Sequence, residues 1–316
     1  MNKIVFLYTW IVLFYMYASV IVNNFRTFIK ANLFCGVFFL GLLFSEFGDP
    51  ISFFRSMQGE TIRLGIEQDG VFVLNPIWIA RYLGYLFLLA LYMLDIKKWK
   101  YLLYAYLLCL FLYMITSGSK GPIYALIGGC MIYFASSKMS ENVKSIAIFV
   151  GIGVGMFLLL SALDFFSSSF YINRFSGKSS SGIEREGLVD VAVQFRGVFS
   201  FFFGTGTGNF GYLLNSRDVR GYPHNILAEL YCENGVVSIA VIVAMYYSVI
   251  KKHVIILKYK ELRLLCANFF YFGLNSMFSG DLFSNEYFFV FFILFHFEAM
   301  MIKKAEKMEM VLLQAA

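Results

Sequence analysis

Charge is what this chain has least of: Asp, Glu, Lys and Arg make up 15% of its 316 residues, where soluble domains carry about 25%. With 59% hydrophobic residues, 20% aromatics and a mean hydropathy of +0.71, that shortage excludes a soluble globular protein. Alternation of apolar and polar residues is missing as well, which excludes a membrane β-barrel. What recurs are apolar runs of about 18 or more residues, and a bilayer core of roughly 30 Å takes about 20 helical residues to cross. The expected fold is all-α, a polytopic transmembrane helical bundle, with residues 1–316 forming a single integral membrane domain.

Other absences narrow the class. No small-residue cleavage site follows the apolar run after Lys3, so Met1 to Val22 reads as an uncleaved first span. Cys35, Cys109, Cys130, Cys232 and Cys266 are scattered without paired or metal-like spacing, which leaves them as packing residues. No acidic cage for a metal is evident, and no cofactor is expected. The formal charge is +6, but Lys and Arg cluster in short loops between spans. That is the topology signal of a membrane protein, and nucleic acid is not an expected partner. No internal repeat supports an inverted-repeat transporter.

Spans are expected near 4–22, 29–45, 71–94, 101–116, 121–136, 145–163, 226–250, 262–279 and 286–302, nine in all, or ten if one is missed or re-entrant. The basic loops at 23–30, 95–100, 136–144 and 251–263, and the tail after 302, belong on the cytoplasmic side. The loops at 46–70, 116–121, 164–225 and 279–285 then face out. An odd count puts the N-terminus outside together with Lys3, against the charge rule. Segment 164–225 is a large periplasmic or extracellular loop, long enough to be a functional cap.

Polar residues at membrane depth are costly and default to function. Here they gather on the outward side: Asn75, Arg81, Ser117, Ser119, Lys120, Arg174, Arg185, Arg196, His224, Asn225, Glu229 and Glu233. Within 184–203, EREGLVDVAVQFRGVFSFFF, an amphipathic helix is expected at the outer interface with its aromatics toward lipid. Arg185 and Arg196, eleven residues apart, share a helical face after about three turns. Two planar guanidiniums suit a diphosphate, since each fork binds an oxygen pair and neither loses its proton. The plainer alternative is that both snorkel to headgroups. The Ser/Gly-rich stretch 173–184 reads as a loop from which Arg174 can swing over the site.

The string GTGTGNFG (204–211) contains G-x-G-x-x-G, but a dinucleotide site needs a βαβ context that is lacking. It reads as a tight turn where backbone approaches either a ligand phosphate or a neighbouring helix. Pro223 suits a first helical position, which puts His224 in the first turn of the span near 226. A helix N-terminus disfavours the imidazolium, and a neutral ring suits a general base. Exposed N–H groups there attract phosphate. Asn225, Glu229 and Glu233 follow at i,i+4 spacing on one face. Against this stands a plain interfacial histidine bonded to water, with glutamates capping loop cations.

Pro223-His224-Asn225, then nine residues, Gly235 and Ser238 resemble the H-N-x9-G-x-x-G element of the O-antigen ligase and polymerase superfamily, with Ser238 for the usual glycine. FVLNPIWIARYLG (72–84) is similar to the family's N-P-N segment, with Ile77 for the second Asn. TSGSKGP (116–122) resembles its T-x-S-R-G turn, with Lys120 for Arg, and Phe203–Phe210 resembles the G-x-G-x-x-x-F that follows the arginine-bearing loop. The likeness covers roughly residues 70–250. Relatives usually have more spans, so this chain is expected to lack N-terminal helices.

The resemblance implies a metal-independent glycosyltransferase of the GT-C type in the bacterial inner (plasma) membrane, using undecaprenyl-diphosphate-linked oligosaccharide on its outer face. Residues and resemblance together assign catalysis to His224, Arg196 and Arg185, with Arg174, Asn225, Glu229, Arg81, Asn75 and Lys120 on the substrate. A repeat-unit polymerase is favoured over a ligase acting on lipid A core, because polymerases diverge more in sequence. A chain-length regulator and a flippase are the implied partners, alongside membrane lipid. Two other readings are a lipid-linked oligosaccharide flippase, opposed by the scarcity of polar residues in the cytoplasmic half, and a membrane O-acyltransferase, motivated by the membrane-depth histidine.

Overall fold

A computed structural model describes residues 3–50, 52, 66–68, 71–94, 99–135, 180–216 and 221–315. In chain order they form α1 (Lys3–Asn23), α2 (Phe25–Phe47), β1 (Ile66–Gln68), β2 (Val71–Leu74), α3 (Pro76–Met93), α4 (Lys100–Thr116), α5 (Lys120–Ala135) and α6 (Ser180–Val193). Then come α7 (Val198–Phe203), α8 (Phe210–Asn215), α9 (Ile226–Ile250), α10 (His253–Lys258), α11 (Lys260–Ser276), a 3-10 turn at Phe283–Asn285, and α12 (Glu286–Ala315). The fold is helical as expected, with one small antiparallel hairpin added. Among the described residues α2, α3 and α9 are long and apolar enough to cross a membrane. Lys100–Thr116 is apolar but shorter. The expected span at 145–163 lies outside the described residues.

The expected span from 71 begins later. Val71–Leu74 pairs with Ile66–Gln68 as the hairpin, and the helix starts at Pro76. Asn75 sets that boundary: its Oδ1 accepts the Ile77 N–H at 2.9 Å, and Pro76 takes the first helical position, where a missing N–H costs nothing. Burial then separates the spans. The apolar window of α3 is 83% buried and that of α2 only 17%, so α3 lies inside the bundle and α2 at its rim.

Helix α11 is the centre, packing on α5, α12 and α3. Small residues permit the approach: a Cβ on Gly84 would stand 2.3 Å from Tyr271 Oη, and one on Gly273 2.1 Å from Tyr246 Oη. Close packing of this kind drives helix association where lipid removes the hydrophobic force. Helix α1 lies along α12, with Tyr15 edge-on to Phe297 at 5.1 Å, and it also touches the 3-10 turn. It therefore runs parallel to α12 and starts on the face that carries the 277–285 loop. The opposite face is tied by lysines and carboxylates: Lys260 Nζ donates to Tyr92 O at 2.6 Å, Tyr92 Oη to Glu261 at 2.7 Å, and Tyr259 Oη to Glu306 at 2.8 Å.

Candidate functional site

Three of the polar residues expected on the outward side converge on a loop between α11 and α12, SMFSGDLFSN (276–285). From α3, Arg81 donates to the carbonyls of Asn275 (3.1 Å), Ser284 (3.4 Å) and Ser279. From α6, Arg185 donates to the Phe278 carbonyl at 3.3 Å. From α9, fully buried Glu229 accepts the Leu282 N–H at 2.9 Å. Asp281, also fully buried, accepts from the backbone and hydroxyl of Ser284 at 2.9 and 2.5 Å, which folds the 3-10 turn beneath it. Beside the loop, a Cβ on Gly121 would stand 2.6 Å from that of Phe278. This packs the end of the 116–121 turn against the same wall, with Lys120 the first residue of α5.

His224 faces this wall, but not from a helix. Helix α9 starts at Ile226 with Asn225 as its cap, whose Oδ1 accepts from Leu227 N (3.0 Å) and Ala228 N (3.2 Å). The first-turn placement expected for His224 is therefore corrected. The cap geometry claims Asn225, and His224 precedes it in the left-handed region at φ 58°, uncommon for a side chain with a Cβ. Its ring lies 4.5 Å from that of Tyr222, and the buried Nδ1 has no hydrogen-bond partner. Burial, with the nearby Arg185 cation, pushes the imidazole down to about 4 against the pull of Asp281. Desolvation, and not a helix N-terminus, is the chief cause that disfavours the imidazolium. Arg185 is itself pushed down by burial, opposed by Tyr222 and Glu184.

Helix α9 breaks at Gly235, whose φ of 69° and ψ of −168° fall where only glycine sits without strain. The break strips carbonyls of their helical donors, and the glycine string supplies replacements. Thr205 N donates to Cys232 O and Gly206 N to Glu233 O, both at 2.9 Å. Contact is too close for a side chain, since a Cβ on Gly204 would lie 2.2 Å from Asn234 N and one on Gly235 2.3 Å from Phe202 C. The neighbouring-helix alternative for GTGTGNFG is the one observed. Ser238, in the place of a glycine, donates its hydroxyl to Gly235 O (2.7 Å) and Leu230 O (2.9 Å) across the break. Buried Glu233 accepts from Phe210 N at 3.5 Å and holds the far end of the string.

The continuous helix expected over 184–203 is corrected too. Helix α6 ends at Val193, residues 194–197 are not helical, and α7 begins at Val198 after Gly197 at φ 110°. Arg196 turns back onto the end of α6, donating to Ala192 O (3.3 Å), Gln194 O (3.1 Å) and Val191 O, where a cation meets carbonyls that lack donors. Arg185 and Arg196 thus do not share a helical face. The aromatics of the segment are exposed as expected, Phe199 at 74% and Phe195 at 68%. Arg174 lies outside the described residues.

Of the expected site residues, Arg81, Arg185 and Glu229 meet at the 276–285 wall, Lys120 adjoins Gly121 next to it, and His224 stands beside it. Asn75 and Asn225 are helix caps, and Arg196 lies one layer away, with Nη1 3.9 Å from Cys232 Sγ. Sequence reasoning missed Asp281 and Tyr222. Asp281 had a signal, being the single carboxylate in SGDLFSN between two apolar spans. Among the described residues no three His, Cys, Asp or Glu side chains gather as a metal cage.

Among the described residues, helices long and apolar enough to cross a membrane, with a polar, arginine-lined wall toward one end of the bundle, mark an integral membrane protein. Residues 105–243 match the model of the O-antigen ligase family (Wzy_C). The match takes in the 116–121 turn, the glycine string, His224 and the break at Gly235, and leaves Arg81 and the 276–285 loop outside it. No curated protein and no solved structure matches the chain.

Proposed function

We propose that the protein is a glycosyltransferase that polymerises repeat units of a surface polysaccharide, moving a growing glycan from undecaprenyl diphosphate to another lipid-linked unit on the outer face of the bacterial inner membrane. The observation that carries this reading is a neutral His224 set beside the Arg185 guanidinium at the membrane face. In the transfer, a hydroxyl of the acceptor sugar bonds to the donor's anomeric carbon as the bond from that carbon to the diphosphate oxygen breaks. His224 takes the hydroxyl proton, and Arg185 and Lys120 stabilise the charge that develops on the leaving diphosphate. Those cations supply the stabilisation without a metal. Arg196 reaches the diphosphate only by releasing the end of α6.

The family description favours a second reading, a ligase that moves the finished glycan to lipid A core. Deleting the gene and running the surface polysaccharide on a gel separates the two. Loss of the ladder with a single-repeat band retained supports the polymerase. Loss of every band supports the ligase. A normal ladder in cells carrying His224→Ala and Arg185→Ala would refute both.

A further inference from the structure

We infer that Arg81 is a positioning residue that fixes the 276–285 loop against His224, and not a ligand of the substrate. The inference rests on the transferase reading above for its kinetic arm alone. Arg81 is 7% exposed, and its hydrogen bonds run to one place: both terminal nitrogens donate to carbonyls of Asn275, Ser279 and Ser284. These acceptors straddle the loop, one at the end of α11 and one in the turn that opens α12. A single rigid fork therefore sets the width of the connection, which an ammonium at the end of a flexible stem does not reproduce.

The Arg81 backbone is held in turn, since Tyr271 Oη on α11 donates to its carbonyl at 2.9 Å. Gly280, at φ 83°, leaves room for the guanidinium, because a Cβ there would stand 3.3 Å from Nη1. What the clamp presents is the middle of the loop: Asp281, fully buried, and Leu282, whose N–H is taken by Glu229 of α9. Helix α9 carries His224 at its entrance, so Arg81 on α3 and Glu229 on α9 hold one short segment from two sides. Arg185 adds a third grip at the Phe278 carbonyl, and the distance between the loop and the imidazole follows from the three together. Displacement of a reacting group by about 1 Å costs roughly 100-fold in rate, so a positioning role is visible in turnover.

The test uses full-length protein in proteoliposomes, with Arg81→Lys and Arg81→Met, each also carrying Leu282→Cys as a reporter. Leu282 is 9% exposed, and its accessibility is read with a membrane-impermeant maleimide against the parent's own cysteines. The expected result is a turnover reduced about 10- to 100-fold with KM for the lipid-linked donor within about twofold, and faster labelling of position 282 in both variants. A KM raised about tenfold or more, with turnover and labelling unchanged, would make Arg81 a substrate ligand and overturn the inference. Unchanged kinetics and labelling overturn it as well. If Arg81→Met does not fold, Arg81→Lys decides alone. If the unaltered protein transfers no glycan, the transferase reading fails while the labelling still decides the clamp.

Discussion

Rates measured against pH test the central step directly. His224 is pushed down to about 4, by burial first and the Arg185 cation second, whereas an ordinary histidine titrates near 6.5. At pH 5.5 a ring with a midpoint of about 4 is about 97% neutral, and one at about 6.5 is about 9% neutral. A base that must be unprotonated to accept the hydroxyl proton therefore keeps nearly its full rate at pH 5.5, about tenfold more than an unperturbed histidine allows. The assay is the initial rate of transfer between lipid-linked repeat units in proteoliposomes from pH 4 to 8, paired with an NMR titration of His224. Arg185→Met should move the midpoint upward but leave it below 6.5, because burial remains; Asp281→Asn should move it further down. An acid limb near 6.5, or a midpoint indifferent to both substitutions, would refute the reasoning. Stability follows the same linkage. The unfolded chain takes up this proton below about 6.5 and the folded one only near 4, so the native state loses stability as pH falls through that window and no more below it. In His224→Gln that part of the pH dependence should vanish from melting curves.

The break in α9 makes Gly235→Ala severe: the substituent overlaps Phe202 at 2.3 Å in a backbone region open only to glycine, and a loss of about 3 kcal/mol or more is expected in detergent unfolding. Gly187→Ala in α6, where a Cβ meets nothing within 4 Å, is the control and should be neutral or gain up to about 1 kcal/mol. Asn225→Ala removes the cap of α9 and should cost about 1 kcal/mol by the same measurement. Ser238→Gly restores the glycine of the related motif but loses the hydroxyl that serves Leu230 O and Gly235 O; a destabilisation of about 0.5–1.5 kcal/mol is expected, with turnover retained. Arg196→Ala should lower the melting temperature through the end of α6, and an unchanged melting curve would detach Arg196 from that capping role.

The sequence alone determined that the chain is a helical membrane protein and which end of it is polar. Composition and run length are one-dimensional properties, and the bilayer imposes them residue by residue. It also marked most of the site, because a charge at membrane depth needs a reason wherever the fold takes it: Arg81, Arg185, His224 and Glu229 were visible in this way. Local signals read less well where two explanations compete for neighbouring residues. Pro223 points to a helix start, but Asn225 is the better cap and displaces it; Gly197 ends a helix that the arginine spacing alone would continue.

The tertiary structure alone decided the partners. Arg81 meets acceptors 194 to 203 residues away in sequence, and the glycine string finds its purpose only at a break in a helix 27 residues further on. Nothing in the residue types announces such pairings, because an arginine suited to a diphosphate is equally suited to a row of carbonyls. Which of the two it meets depends on the donors and acceptors that folding brings within about 3 Å. For that reason the sequence found the arginines of this site, and only the fold showed that Arg81 and Arg185 both donate to carbonyls of the 276–285 loop while Arg185 also stands beside His224.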